Sequence, residues 1–476
     1  MMANWVDKLA GKFSAIAAAS LLAACATQQD IQTVEKMGGT GHAGVQAAAL
    51  HEAQTNTAAW WEALGDASLN DLVQKALADN PSVRVAQGRL LRAQAMAGYV
   101  RGADHPQIQA TAEVDRQRYS ELGLFPPPLS GKPITVGTLQ LEGSWELDLF
   151  GKQRAELDAA VGQAKASAAD LEAARLLLST QVVRTYGQLG RLIAQRDVLQ
   201  RTLAQREEVL SLVKQRVQAG LDTAVELKQG EGALPDARFQ LETVNEQIEL
   251  MRHALAALTG QDMAALAQAK PDLSSIKQQT MPAHVPADLL SRRADIQAAL
   301  WRVEASGYQV HAARALFYPN VDLVAFGGVN AIGLDRLFDG GGLQWGLMPA
   351  IHLPLFDGDR RRSNLQGKVA EQDIAIASYN QAVTDAVREA ADQITSLQAI
   401  ARQQTEQAQA QASAESAYSL ALQRYRAGLG TYLTVLTSES AVLAQRRAAV
   451  DLKARAIDTQ AAMVRAMGGA ISGDHS

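Results

Sequence analysis

The sequence predicts an α+β membrane protein in which long helices alternate with short strands and the whole pattern occurs twice. Three observations support this prediction. The 13 prolines leave the stretches 134–234 and 355–476 free, so helices can run there without interruption. The regions 105–150 and 317–356 alternate polar and apolar residues as strands do. Motifs of the first half recur in the second half at a nearly constant offset.

The composition excludes several classes of protein. The chain has 476 residues, of which 47% are hydrophobic, and this is too apolar for general disorder. Its 45 basic and 50 acidic residues give a formal net charge of -5. A nucleic-acid-binding protein needs a basic field, so no nucleic-acid partner is expected.

The amino-terminal segment has the features of a bacterial lipoprotein signal. A basic start is followed by an apolar run over 13–22, which is too short to span a bilayer, and then by Leu-Ala-Ala-Cys ending at Cys25. This ending resembles a lipobox, which implies cleavage after residue 24 and a covalent lipid such as palmitate on Cys25. Ala26 replaces the aspartate that retains lipoproteins at the inner membrane, so the outer membrane is expected.

The two proline-free stretches predict very long helices. Residues 151–218 and 360–426 each carry apolar side chains at helical spacing and have no internal caps. Each helix would be about 100 Å long at about 1.5 Å per residue. Coiled-coil packing of these helices is therefore expected.

Four strands are predicted, at 107–115, 138–149, 321–331 and 343–355. A break in the alternation before Gly137 predicts a bulge or a strand start there. Strands of this length with apolar residues on one face fit a transmembrane barrel, and a soluble sheet with one wet face is the alternative. The polar residues of the first hairpin are expected to line a barrel lumen: Gln107, Gln109, Glu113, Asp115, Gln140, Glu142, Glu146 and Asp148.

The internal repeat is the strongest feature of the sequence. The segment 215–221 matches 423–429 at an offset of 208 residues, and 147–150 matches 353–356 at 206. Four strands cannot close a barrel, and lipid does not tolerate an open sheet edge. Several copies must therefore pool their strands. The periodicity leaves open whether two copies give eight strands or three give twelve.

The repeat predicts the domain organisation. A lipid-anchored linker over 25–59 follows the signal peptide at 1–24, a second linker over 261–284 separates the repeats, and 469–476 forms a tail. The first repeat, 60–260, holds a helix, the hairpin 105–150, the long helix 151–218 and a helix over 222–260. The second repeat, 285–468, holds a helix, the hairpin 317–356, the long helix 360–426 and a helix over 431–468.

Several motifs resemble those of the TolC-like outer-membrane efflux family, in particular its lipoprotein branch typified by OprM and NodT. The resemblance covers nearly the whole chain after the signal. The chain departs from the family pattern at Ala294, where the family usually has proline, and at Asp359, where it has glycine. The matching motifs are ALADNP at 76–81, SWELDLFGK at 144–152, VPADLLSRRADI at 285–296, FYPNVDL at 317–323, LPLFDG at 353–358 and RYRAGLGTYLTVL at 424–436.

The resemblance implies a homotrimer whose 12-stranded transmembrane β-barrel is continuous with a periplasmic α-helical barrel. It implies a passive, gated outer-membrane channel for small toxic compounds, as in multidrug resistance. The implied partners are a periplasmic adaptor (a membrane fusion protein) and an inner-membrane transporter of the RND type. Two alternatives remain, an exporter of a type I protein secretion system and a periplasmic structural coiled-coil lipoprotein.

The resemblance also assigns roles to the two helix reversals near Gly220 and Gly428. Matching the family's tip motif implies adaptor docking by Arg216, Gly220, Leu221, Arg424, Gly428 and Leu429. A periplasmic gate is expected at Asp222, Glu226 and Tyr425. The arginine that some members carry at the gate is Gly430 in this chain.

No enzymatic or metal site is expected. The eight histidines are scattered without zinc-ligand spacing, and neither a G-x-S-x-G motif nor a P-loop is present. A secreted hydrolase would need a nucleophile constellation, a passive porin would need more strands, and a periplasmic adaptor would lack the duplicated strand pattern. A covalent lipid on Cys25 is the only non-protein group expected.

Overall fold

The computed structural model describes residues 31–37, 59–277 and 291–469. Cys25, the signal peptide, most of the predicted linker 25–59 and the end of the predicted linker 261–284 lie outside these ranges. The helices are a 3-10 turn Trp60–Leu64, then α1 Ala67–Asp79, α2 Pro81–Ala103, α3 Lys152–Gln218, α4 Ala224–Thr259, α5 Met263–Leu266, α6 Ala294–Ala315, α7 Arg360–Arg426 and α8 Tyr432–Ala466. The strands are β1 Gln107–Arg118, β2 Pro133–Leu147, β3 Asn320–Ile332 and β4 Leu343–His352.

The element order confirms the internal duplication. The series α2, β1, β2, α3, α4 recurs as α6, β3, β4, α7, α8. The two long helices α3 and α7 have 67 residues each, and the helices that follow them have 36 and 35. The length of α3 and α7 fits the absence of proline in their sequences, since proline removes a hydrogen bond and clashes with the preceding turn.

The four strands form one antiparallel sheet in the order β1-β2-β3-β4. Because each of β1 and β4 has only one neighbour in the sheet, both leave a backbone edge unpaired within the chain. Pro349 lies in β4, and an edge strand tolerates a residue that lacks a backbone N–H. The unpaired edges are the places where further strands can be added.

The sequence predicted a bulge or a strand start near Gly137, but β2 begins at Pro133 and has no bulge at Gly137. Gly137 pairs with Val114 on one side and Ala331 on the other, inside an unbroken register. The alternation changes there because the surroundings change, not because the pairing slips. A side chain at Gly137 would meet Leu334 at 2.8 Å, so this end of β2 packs against the β3–β4 connection.

The two faces of the sheet differ in polarity. Strand residues directly opposite one another share a face, so Leu141 lies beside Ala110 and Gly327, and Trp345 lies next to Gly327. Trp345 is 77% exposed and Leu141 is 59% exposed. The large apolar side chains on this face are Ile108, Val114, Leu139, Leu141, Trp145, Leu147, Val321, Leu323, Val329, Leu343, Trp345, Leu347 and Ile351.

A hydrogen bond on the opposite face spans three strands. The amide of Gln344 in β4 donates to the side-chain oxygen of Gln140 in β2 at 3.1 Å. Gly328 of β3 is the residue between them in the register. A Cβ at Gly328 would lie 2.3 Å from the Leu139 carbonyl oxygen, so only glycine fits there.

None of the described helices is long and apolar enough to cross a membrane.

The chain divides into two compact units, and each unit contains segments of both repeats. The first unit comprises Arg89–Ser167, Ala299–Tyr379 and the described residues 31–37, and it contains the whole sheet. In it Ile31 is buried with Val310, Phe317 and Leu365. The boundaries of the compact units therefore do not coincide with those of the sequence repeats.

The second unit contains a buried arginine from the Arg292-Arg293-Ala294-Asp295 motif. Arg293 is 7% exposed in its side chain and donates to the Asp295 carboxylate at 2.7 and 3.1 Å and to Glu389 at 3.1 Å. Arg465 also donates to Glu389, at 3.1 Å. These ion pairs connect the start of α6 with α7 and with the end of α8.

The backbone conformation of Asp359 explains how the chain accommodates aspartate where the family pattern has glycine. It has φ of 64°, the left-handed conformation that glycine adopts without steric cost. Aspartate is among the residues that tolerate this conformation best. The backbone at the start of α7 is therefore kept although the glycine is replaced.

Candidate functional site

The two helix reversals have the same backbone geometry at the offset of 208 residues seen in the sequence. In the first, Gly220 has φ of 75° and the Leu221 N–H donates to the Arg216 carbonyl at 2.8 Å. In the second, Gly428 has φ of 77°, and the Leu429 N–H donates to the Arg424 carbonyl at the same distance. This is the Schellman arrangement, which needs a left-handed residue where the helix ends.

The helices that follow the reversals start on threonine caps. The Thr223 side chain accepts from the Val225 N–H, and Glu226 closes a capping box by accepting from the Thr223 backbone N–H at 2.8 Å. The hydrogen bond from the Thr223 hydroxyl is the main cause that lowers the pKa of Glu226. Within one chain, Glu226 therefore stabilises its own helix start, and its role in a gate stays a prediction.

Four aliphatic side chains are exposed at the reversals. Leu221 is 65% exposed and Leu429 is 70% exposed, and Val225 and Leu433 are similarly accessible. We call these four residues the apolar tip. The two members of each pair, Leu221 with Leu429 and Val225 with Leu433, occupy equivalent positions in the two repeats.

A polar cluster lies just inside the apolar tip. The Arg216 guanidinium donates to both oxygens of Asp222, at 2.9 and 3.2 Å, and to the Tyr425 carbonyl at 3.2 Å. The Tyr425 hydroxyl donates to the same Asp222 carboxylate. The guanidinium also lies over the Tyr425 ring, 4.6 Å from its centre. We call Arg216, Asp222 and Tyr425 the tip cluster, and it joins the first reversal to the second.

The electrostatics of the tip cluster favour its charged form. The hydrogen bond from Arg216, with a second from Tyr425, holds the pKa of the Asp222 carboxyl below its ordinary value. Burial, together with the hydrogen bond to Asp222, raises the pKa of the Tyr425 hydroxyl above its ordinary value. At neutral pH the cluster therefore contains an ionised carboxylate that accepts from two protonated donors.

Apolar residues surround the fully buried Tyr425. Its ring centre is 5.9 Å from that of Tyr432, and Val209, Val213 and Val435 pack in the same cluster. Burial keeps water from competing for the hydrogen bond to Asp222, which makes that bond stronger than an exposed one.

The sequence predicted the members of the tip cluster but not their contacts. Arg216 was assigned to docking and the other two residues to the gate, and the structure brings all three together. The repeats contain a signal for this, because Arg216 recurs as Arg424 while Tyr425 and Asp222 have no counterparts at the 208-residue offset. Val217 stands where the second repeat has Tyr425, and Gly430 stands where the first repeat has Asp222.

Most of the predicted lumen residues share the face of the sheet opposite the apolar one. The register places Gln107, Gln109, Glu113 and Asp115 of β1 on the face that carries Gln140, Glu142 and Glu146 of β2. Asp148 differs, because it follows the last residue of β2 and accepts from the Arg154 backbone N–H at 2.8 Å. It belongs to the start of α3 and is not a strand residue.

Metal ligation finds no support in the described part of the chain, which contains no group of three or more His, Cys, Asp or Glu residues arranged to hold an ion.

Comparison with known proteins gives a consistent result. A sequence model described as "Outer membrane efflux protein" matches residues 72–261 and 285–469. The multidrug resistance outer membrane protein MdtQ of Escherichia coli O157:H7 is 34% identical over 418 residues, which cover 86% of this chain and 87% of MdtQ. The fusaric acid resistance protein FusA of Burkholderia cepacia is 38% identical over 325 residues, covering 67% of this chain and 61% of FusA.

Solved structures show the same fold. The outer membrane protein VceC of Vibrio cholerae matches with a TM-score of 0.83 and 36% identity, covering 86% of this chain and 98% of VceC. The outer-membrane channel OprN matches with a TM-score of 0.82 and 26% identity, covering 93% of this chain and 98% of OprN.

Proposed function

The chain belongs to the outer membrane efflux protein family and is an outer-membrane efflux protein, and on that premise we propose that three copies form the exit channel of a tripartite efflux pump. The partners are a periplasmic adaptor and an inner-membrane transporter of the RND type. The cargo is a small toxic compound, as the name of MdtQ suggests for that relative. The channel is a passive conduit without a cofactor.

The sheet is the observation that carries this proposal. Its apolar face exposes Leu141 and Trp345, and such a face is costly in water but favourable against lipid. Its edge strands β1 and β4 are unpaired, and lipid does not tolerate unpaired backbone groups. Pairing β4 of one copy with β1 of the next satisfies both edges and, with three copies, gives a closed barrel of twelve strands.

The polar face of the same sheet then lines the lumen. It carries the acidic residues Glu113, Asp115, Glu142 and Glu146. Arg116 and Arg118 alternate with the acidic residues on β1 and belong to the other face. An acidic lumen favours cations weakly, since fixed charges raise the local concentration of counter-ions.

The tip cluster supports a gate at the helix reversals. It connects residues of the first reversal to Tyr425 of the second, so any movement that separates the reversals must break it. A hydrogen bond to a charged group contributes roughly 1.5–3 kcal/mol. Three such clusters in a trimer would hold the passage closed and could still be overcome by binding of the adaptor.

The apolar tip is suited to docking the adaptor. Exchanging Leu221 and Leu429 for aspartate adds two charges to an exposed apolar contact and should abolish efflux. Drug susceptibility of a host that lacks its own exit channel, but contains a matching adaptor and pump, measures this effect. Susceptibility should rise to that of the channel-free host, while single-channel conductance of the purified protein stays the same.

An exchange at a neighbouring exposed position provides the control for docking. Lys228 is exposed, and within the described ranges its ion pair is with Glu231 of its own helix, so Lys228→Ala should leave efflux intact. Full efflux by the Leu221→Asp, Leu429→Asp variant would remove the apolar tip from adaptor docking.

Lipid attachment at Cys25 is the second anchor to the membrane. The Leu-Ala-Ala-Cys motif supports it, and several acyl chains at about 0.8 kcal/mol per buried CH2 give stable binding. Cys25→Ser should reduce incorporation of radiolabelled palmitate to background. Because the barrel itself spans the membrane in this proposal, the variant should still form channels in lipid. Palmitate labelling equal to that of the wild type would contradict lipidation at Cys25.

A further inference from the structure

A second polar contact, about as buried as the ion pair of the tip cluster, connects α3, α4 and α8. The guanidinium of Arg206 in α3 donates from Nε to both carboxylate oxygens of Glu439 in α8, each at 3.2 Å. It also donates to the Ala233 carbonyl of α4 at 2.9 Å. Arg206 is 12% exposed and Glu439 is 8% exposed in their side chains. We call Arg206 and Glu439 the inner pair.

Helix α4 is weakened where the inner pair touches it. Pro235 lies inside the helix and lacks the N–H that would bond to the Glu231 carbonyl. Gly230 and Gly232 precede it, and glycine lowers helix propensity further. Sharp bends in helices occur at proline and at paired small residues. The segment 230–235 therefore has the composition of a hinge.

The packing around Gly230 places the hinge against the residues that support the gate. A Cβ at Gly230 would lie 2.9 Å from Leu210 and 3.3 Å from the Tyr432 hydroxyl oxygen. Tyr432 in turn packs on Tyr425 of the tip cluster. A bend at 230–235 would therefore displace Tyr432, and Tyr432 contacts Tyr425.

Along α3, Val209 and Val213 of the apolar cluster around Tyr425 lie between Arg206 of the inner pair and Arg216 of the tip cluster. Arg206 precedes Arg216 by ten residues of α3, or about 15 Å along the helix. Val209, Val213 and Tyr432 of the apolar cluster are contributed by helices α3 and α8, which also carry the inner pair. Asp236 lies 3.4 Å from Arg206 and is exposed, so it adds little to the inner pair.

We propose that the inner pair is a second latch of the gate and that the segment 230–235 is the hinge about which the start of α4 moves. This inference rests on the proposed channel function. Arg206 acts as a positioning residue, because it fixes the Ala233 carbonyl of the hinge to Glu439 and touches neither the cargo nor the apolar tip. Opening then requires two polar contacts to break, one at the reversal and one at the hinge.

Glu439→Gln tests the latch with little change in shape. Removing the charge should raise the mean current through closed channels in planar lipid bilayers by roughly tenfold. The matched control is Glu415→Gln, which removes the charge from another arginine–glutamate pair between helices, that with Arg446 at 3.0 Å. The control should leave the current at the wild-type level, since this pair connects α7 with α8 and the hydrogen bonds described for it do not include α4.

Stiffening the hinge tests whether the segment 230–235 moves when the channel opens, because a purely structural role would not affect the current. Gly232→Ala with Pro235→Ala should stiffen α4, and a Cβ at Gly232 meets open space. These exchanges favour the helix, so the heat stability of the oligomer should not fall. In a channel opened by Asp222→Asn and Tyr425→Phe, they should return the current most of the way to the wild-type level.

The outcomes separate this inference from the function on which it rests. If the wild type forms no channels in lipid, the proposed function fails. If the tip-cluster variant opens the channel but neither Glu439→Gln nor the hinge exchanges change the current, only the latch and hinge are overturned. A lower oligomer stability in Glu439→Gln without a higher current would make the inner pair purely structural and would also overturn the inference.

Discussion

Exchanging Asp222 for asparagine together with Tyr425 for phenylalanine should open the channel. The two exchanges keep the shapes of both side chains but remove the charge that Arg216 binds and the hydroxyl that donates to it. A loss of about 1.5–3 kcal/mol per chain shifts a two-state equilibrium by roughly ten- to a hundredfold. The mean current through purified protein in planar lipid bilayers should rise at least tenfold.

Glu226→Gln provides the comparison for this experiment. The sequence predicted Glu226 as a gate residue, whereas in the structure it caps its own helix. If Glu226 also holds a neighbouring copy, its exchange alone should raise the current. If the tip cluster is the main restraint, Glu226→Gln should resemble the wild type. An unchanged current in the Asp222→Asn, Tyr425→Phe variant, with intact oligomers, would remove the tip cluster from the gate.

Leu141→Arg should prevent assembly in the outer membrane. Leu141 lies near the middle of β2 on the exposed apolar face, so a barrel would present it to lipid near the bilayer midplane. An arginine there costs about 2–4 kcal/mol in a membrane barrel, and a symmetric trimer bears this cost three times. Heat-sensitive oligomers in outer-membrane fractions, measured by gel electrophoresis without boiling, should fall below a tenth of the wild-type amount.

The neighbouring residue gives a matched control for the lipid-facing position. Glu142 follows Leu141 directly and lies on the opposite face of the sheet, beside Gln109. Glu142→Arg should assemble normally and should shift the selectivity of the channel away from cations. Normal assembly of Leu141→Arg would show that the apolar face of the sheet does not contact lipid.

Much of the fold follows from simple periodicities in the sequence. The absence of proline from 134–234 and 355–476 predicted α3 and α7, because proline is the residue that helices tolerate least. Alternation predicted which side chains share a face, because a strand places successive residues on opposite sides. It failed at strand ends, where turn contacts replace sheet contacts. Leu353 and Leu355 continue the alternation of β4, yet the strand ends at His352, just before Pro354.

The candidate site was harder to predict, since its contacts join residues far apart in the chain. The resemblance placed Asp222 and Tyr425 at the reversals, but the hydrogen bond between them connects positions 203 residues apart. No feature of the sequence indicated that Arg206 and Glu439 form an ion pair. Arg206 and Glu439 belong to long helices rich in polar residues, and only packing distinguishes these two from exposed charges.

The number of copies in the membrane-embedded assembly tests the central claim most directly. One chain supplies four strands of the twelve-stranded barrel, and four strands cannot close a barrel alone. Native mass spectrometry of the full-length protein released from lipid nanodiscs should give three times the mass of the mature chain. A soluble monomer, or an assembly of another copy number, would contradict the account.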